Sequence, residues 1–198
     1  VILAGAGVQF AGGSEELKEF AEKHKVPVTS TLLGLGTFPG THEQSLGMAG
    51  MHGSYAANMA IYESDLLINI SARFDDRLTG AIKHFAPDAK VAHIDIDPAE
   101  IGKNIETHIP VVGDAKEALK RMLNSPVECD DHSEWYQKVM DNKADSPFWY
   151  ERSDDLISPQ WLIEQIYEET NGEAIVTTDV GQHQMWTAQF YKICLLYT

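Results

Sequence analysis

Short apolar runs alternate along this chain with segments whose apolar positions recur every three or four residues. The runs are Val1–Ala4, Val26–Thr29, Leu66–Ile70, Val91–Ile96 and the shorter Val111–Val112. Strands that are apolar along their whole length are buried on both faces, as in parallel sheets. Only Asn69 interrupts Leu66–Ile70. Between the runs, Glu15–Lys23 sets Leu17, Phe20 and Ala21 on one helical face. Ser54–Tyr62 reads as a helix whose Ala56, Ala57 and Ala60 allow close packing. Asp97-Pro98 supplies an N-cap and a first-turn proline after Val91–Ile96. Asp114 with Glu117 forms a capping box ahead of a helix over Ala115–Leu123. This β-α alternation predicts an α/β fold, an open parallel sheet of Rossmann-like type.

From about Asn124 to Ser158 the pattern breaks into polar, turn-rich sequence, with a helix over Glu134–Asn142 anchored by Trp135, Val139 and Met140. Regularity returns at Ser158-Pro159, an N-cap followed by a first-turn proline. The helix that follows has Leu162, Ile163, Ile166 and Tyr167 on its apolar face and ends at Asn171-Gly172; Ala174–Thr178 reads as a strand. The expected organisation is one domain over residues 1–125, an interdomain linker over 126–157, and the start of a second α/β domain over 158–198. The chain opens without Met inside an apolar run and reads as cut from a longer protein.

Composition narrows the class. The formal net charge is −15, from 15 Lys and Arg against 30 Asp and Glu, which disfavours binding to a polyanionic nucleic acid. Hydrophobic residues at 43% exclude a disordered chain. No run of about 18 apolar residues suggests a transmembrane helix, and the first residues lack the basic region of a signal peptide. Cys129 and Cys194 are too far apart for a CxxC pair, so neither a disulfide framework nor a zinc site is expected, and a reducing cytoplasm is the expected location.

Candidate chemistry gathers after the strands, where open parallel sheets bind ligands. Gly5-Ala6-Gly7 lets backbone N–H groups approach a phosphate, although the full GxGxxG spacing is absent and a plain tight turn explains it equally well. Thr31–Pro39 suits a loop around a flat apolar ligand or a packed structural loop. Gly50-Met51-His52-Gly53 precedes a helix start, which attracts anions, and Met51 offers a soft surface for a ring. Arg73-Phe74-Asp75-Asp76-Arg77 places two arginines able to grip phosphate or carboxylate, or builds a solvated salt-bridge loop. Asp95, Asp97 and Asp114 end late strands, positions that serve either ribose recognition or helix capping. Gly181-Gln182-His183-Gln184 repeats this placement at a later strand end. No Ser-His-Asp order, GxSxG, Walker A or HExxH motif is present.

Taken together, Ser30–Gly36, Gly50–Gly53, Arg73–Arg77, His93–Asn104, and Gly181–Trp186 with Gln189–Tyr191 resemble, in order and approximate spacing, the acetolactate synthase (acetohydroxyacid synthase) large catalytic subunit family. The resemblance runs from Val1 to about Tyr191 and implies the family's central FAD-binding domain followed by the opening of its thiamine-diphosphate domain. It implies decarboxylation of pyruvate with thiamine diphosphate and transfer of the remaining two-carbon unit to a second 2-oxo acid, pyruvate or 2-oxobutyrate, in branched-chain amino acid biosynthesis. FAD contacts are implied for Gly5, Ala6, Gly7, Thr31, Leu32, Ala49, Gly50, Met51, His52, Ser71, Ala72, Arg73, Phe74, Asp75, Asp76, Asp95, Ile96, Asp114 and Ala115. Gln182 and His183 would approach the thiamine diphosphate, and Met51, His52, Asp76 and Arg77 would lie toward the substrate channel.

The resemblance also implies Mg²⁺, held by an acidic-Asn motif that these residues do not include, and an activating glutamate from an N-terminal domain outside them. No catalytic residue and no metal ligand is therefore expected here, and the chain alone is expected to form no acetolactate. Homo-oligomers, as dimers or tetramers, and a small regulatory subunit are implied partners. Two departures stand out: Ser71 lies where the family more often has a small apolar-glycine run, and Ala6 replaces a usual glycine. Ile193–Thr198 also departs, and Cys194–Thr198 back-translates to a common sequencing-adapter stretch, so this tail reads as non-native. The alternatives are a pyruvate oxidase or glyoxylate carboligase type of thiamine-diphosphate enzyme, and a non-catalytic nucleotide-binding module; Arg73–Arg77 followed by Gly181–Trp186 favours the synthase.

Overall fold

The computed structural model describes residues 1–126, 128–153 and 155–193. The expectation of a non-native tail lies, beyond Ile193, outside the described residues, as does Cys194. Strands β1 (Ile2–Ala4), β2 (Val28–Ser30), β3 (Ser45–Met48), β4 (Leu66–Ile70), β5 (Lys90–Asp95) and β6 (Ile109–Val112) form one sheet in the order β3-β2-β1-β4-β5-β6. Every neighbouring pair is parallel. The central strand β1 is wholly buried, as its unbroken apolar run requires. Strand order reverses between β1 and β4, and β1 pairs with both β2 and β4.

Helices cover both faces. On one face, α2 (Ser14–His24) and α5 (Ala115–Leu123) lay Leu17, Phe20, Ala21 and Leu119 over Ile2, Val28, Ile70 and Ile94. On the other, α3 (Tyr55–Tyr62) brings Ala56, Ala57, Ala60 and Ile61 against Leu3, Leu67 and Val91. The small alanines let α3 approach closely, so a further helix fits outside it. That helix is α6 (Ser133–Asp145), inside the stretch read from composition as a connection; it buries Val139 against the same cluster, with Trp135 and Met140 beside it. Burying a side chain such as Leu119 completely contributes about 1.5–3 kcal/mol.

The caps predicted at Asp114 and Ser158 form, and Ser54 caps α3 as well. Ser54 Oγ accepts from Ala57 N–H at 3.1 Å, Asp114 Oδ1 from Glu117 N–H at 3.1 Å, and Ser158 Oγ from Trp161 N–H at 3.4 Å, the last opening α7 (Pro159–Glu169). The capping box at Asp114 is one-sided, because the Glu117 carboxylate pairs with Lys120 at 2.9 Å.

Three elements differ from expectation. No helix starts at Asp97-Pro98; Asp97 Oδ1 accepts from Ala99 N–H at 2.8 Å in a turn. Ser45–Met48 is a strand although it lacks an apolar run; it is the sheet's edge, its register with β2 is irregular, and Gly47 has φ +77°. The expected strand Ala174–Thr178 does not form: those residues pair with no strand, and Ile175 is 88% exposed. A strand needs a ladder partner to be stable, and none lies beside this one among the described residues. Two short helices, α1 (Gly7–Phe10) and α4 (Asp76–Thr79), complete the loops after β1 and β4, and α8 (Gln182–Phe190) follows Gly181. Among the described residues, no helix is long and apolar enough to cross a membrane.

Candidate functional site

A parallel sheet points all its strand ends the same way, so the loops leaving the strands share one edge. Here those loops border one open cavity of about 1390 Å³. All six strands contribute: Ala6 and Gly7 after β1, Thr31 and Leu32 after β2, Ala49, Met51 and His52 after β3, Ser71, Ala72, Arg73, Asp75, Asp76 and Arg77 after β4, Asp95 and Ile96 at β5, and Asp114 and Ala115 after β6. Val180, Gly181 and Gln182 close one side from α8 and the residues before it.

Four of the sequence-derived positions lie off the cavity wall. Gly5 is buried beneath it, and a β-carbon there would stand 2.0 Å from the Ser71 carbonyl oxygen, so only glycine lets β1 and β4 end so close together. Gly50 backs the β3 loop, pinned by the Asn58 amide, which accepts from Gly50 N–H at 2.8 Å and donates to Gly50 C=O at 3.0 Å. Phe74 turns into the core, edge-on to Phe85 and His93. His183 is exposed, its ring against the Gly181 backbone.

The wall also holds Leu33, within the Thr31–Pro39 loop read as a candidate ligand loop, and residues that sequence reasoning did not single out for this role: Phe10, Met48, Leu78, Glu100 and Met185. Phe10, the last residue of α1, is 84% exposed although it is aromatic, and nothing in the sequence distinguishes it from a core residue.

The Arg73–Arg77 loop is held from several sides. Asn104 donates to Arg73 C=O at 3.0 Å, and Met51 N–H donates to Arg77 C=O at 2.8 Å. Asp75 Oδ1 accepts from Arg77 and Leu78 N–H at 3.1 and 3.2 Å, capping α4. Both arginines remain exposed at the cavity edge. On the β5 side, Asp95 Oδ1 accepts from Asp97 N–H at 2.9 Å. Behind Asp95 lies fully buried His93, Nε2 at 4.0 Å from Asp95 Oδ2, with neither ring nitrogen hydrogen-bonded. Burial pushes the His93 imidazole below its ordinary range, against the opposing pull of the Asp95 and Glu100 carboxylates. The second segment is tied to the first by Gln189 Nε2, which donates to His52 C=O at 3.0 Å. Among the described residues no group of three or more His, Cys, Asp or Glu is arranged to hold a metal.

Residues 1–122 match the family model for the thiamine pyrophosphate enzyme, central domain. The chain is 52% identical over 191 residues to the acetolactate synthase large subunit of Lactococcus lactis, covering 96% of this chain and 33% of that protein. It is 50% identical over 195 residues to the acetolactate synthase large subunit of Corynebacterium glutamicum, covering 96% and 31%. A probable acetolactate synthase large subunit of Methanocaldococcus jannaschii is 48% identical over 200 residues, covering 97% and 34%. The chain spans about a third of the length of these relatives. With the family model matched across an open parallel sheet whose strand ends meet at one cavity, the chain belongs to the thiamine pyrophosphate enzyme family, and its residues 1–122 are that family's central domain.

Proposed function

We propose that this chain is part of an acetolactate synthase catalytic subunit, supplying its FAD-binding central domain (1–125), a connection (126–157) and the opening of its thiamine-diphosphate domain (158–198). The observation that carries this reading is the convergence of all six strand-end loops on one cavity. Its walls match the parts of a flavin dinucleotide. Apolar Leu32, Ala49, Met51 and Ile96 suit a flat ring system, Arg73 suits an anionic diphosphate, and Asp95 and Asp114 suit ribose hydroxyls. Gly7 makes room for the Ser71 side chain over the β1 turn, since a β-carbon there would meet Ser71 Cβ at 2.4 Å.

The proposed reaction joins two 2-oxo acids with loss of CO₂: pyruvate with pyruvate, or with 2-oxobutyrate. Thiamine diphosphate, when bound, supplies the electron sink for decarboxylation. This chain's residues would bind and orient. Gln182, on the cavity wall, and His183 beside it would face the thiamine diphosphate; Met51, His52, Asp76 and Arg77 would border the path by which the acids enter. Arg77 is suited to guide a 2-oxo acid carboxylate. Mg²⁺ would be held by residues other than these. A second copy of the subunit and a small regulatory subunit are the proposed partners, and the cytoplasm the proposed location.

Titration of the purified 198-residue chain with FAD, followed by quenching of flavin fluorescence, tests the reading. Saturable binding that weakens on Arg73→Ala is expected. Absence of binding to the folded chain would overturn the assignment of the cavity to flavin.

A further inference from the structure

One residue at the point where strand order reverses is held in a conformation that favours glycine. Ser71, the first residue after β4, has φ +59°, in the left-handed region where a β-carbon is strained. Its backbone is fixed on both sides: Ser71 N–H donates to Ile94 C=O at 2.8 Å, and Gly5 N–H donates to Ile70 C=O at 2.8 Å. The buried Asn69 amide brackets it by bonding both backbone groups of Ala72. The side chain is thereby brought over the β1 turn, where a β-carbon on Gly7 would lie 2.7 Å from Ser71 Oγ. Ser71 lines the cavity, and its hydroxyl has no hydrogen-bond partner among the described residues. Strain of this kind persists only where the surroundings over-determine it, and it concentrates at ligand sites.

Dinucleotides cross open α/β sheets at the point of strand reversal, with the diphosphate beside the glycine-rich first turn. Ser71 Oγ stands at that crossing. We propose that the Ser71 hydroxyl donates a hydrogen bond to the diphosphate of FAD, making Ser71 an affinity-determining residue whose left-handed backbone is retained for that contact. This rests on the flavin reading above and assigns one interaction within it.

The test compares the parent chain with Ser71→Ala and Ser71→Gly. FAD affinity is read by fluorescence titration, ADP affinity by competition, and the ligand-free melting temperature by circular dichroism. A hydrogen bond to a charged group corresponds to roughly a tenfold change in affinity. Ser71→Ala keeps the strain and loses the hydroxyl, so FAD and ADP are both expected to bind roughly tenfold more weakly at an unchanged melting temperature. Ser71→Gly removes the strain as well; it is expected to melt higher while binding FAD no better than Ser71→Ala. Parent-like FAD affinity in either variant overturns the proposal while leaving the flavin reading intact. A loss seen with FAD but not ADP overturns the assignment to the diphosphate. A folded parent that takes up no FAD overturns both.

Discussion

Asn69 closes a ring with Ala72: its amide nitrogen donates to the Ala72 carbonyl at 2.7 Å, and its amide oxygen accepts from the Ala72 N–H at 3.1 Å. Both residues are buried, Asn69 completely. The polar interruption in an otherwise apolar strand is therefore a turn-forming group that ends β4 and aims the loop carrying Arg73–Arg77. Asn69→Leu would leave the Ala72 N–H and C=O without these partners in a water-poor site. A loss of about 2–4 kcal/mol is expected, read as a lower urea midpoint at unchanged slope.

Glycines on this edge differ sharply in what they tolerate. Gly5→Ala would place a β-carbon 2.0 Å from the Ser71 carbonyl, a backbone atom that cannot step aside. It is expected to cost about 1–3 kcal/mol and to abolish FAD uptake. Gly113→Ala, beside Asp114 on the same rim, would meet nothing within 4 Å and is expected to stay within about 0.5 kcal/mol of the parent. Thermal melts of the two variants side by side check the contrast.

His93 ties stability to pH. Its folded-state pKa lies below the ordinary 6.5, because burial opposes the charged ring. The unfolded chain therefore binds the proton more readily, and protonation favours unfolding. The contribution of His93 is full above about pH 6.5 and is lost as pH falls from there through the lowered folded value. Denaturant midpoints measured from pH 7.5 to 5 are expected to fall more steeply for the parent than for His93→Phe, which keeps a ring against Phe74. Parallel curves would remove His93 from the account.

Asp75 acts first as a cap. Asp75→Ala is expected to cost about 0.5–2 kcal/mol and to speed hydrogen exchange at the Arg77 and Leu78 amides, whose protons Asp75 Oδ1 accepts. Exchange at Ala57, held by Ser54 at the start of α3, should not change.

Much of the site was legible because parallel topology is a strong constraint. Once Val1–Ala4, Leu66–Ile70 and Val91–Ile96 are read as buried strands, the polar and glycine-rich segments that follow them must share an edge. The structure places most of those candidates on one cavity. Strand ends fix position, however, and turn dihedrals fix direction. Phe74, at φ +53° within the same short loop as Arg73, turns into the core while Arg73 stays at the rim, and no periodicity distinguishes the two.

The sequence by itself determined the α/β alternation, the helix caps at Asp114 and Ser158, and the buried faces of α2 and α3, because these depend on residues within a turn or two of one another. Tertiary structure alone decided that Ser45–Met48 becomes a strand, since its neighbour β2 supplies the ladder. It also decided that Ala174–Thr178 does not, since no strand among the described residues lies beside it. The left-handed Ser71 was invisible for the same reason. Its conformation is imposed by β1, β5 and the Asn69 bracket, contacts that exist only once distant segments have met.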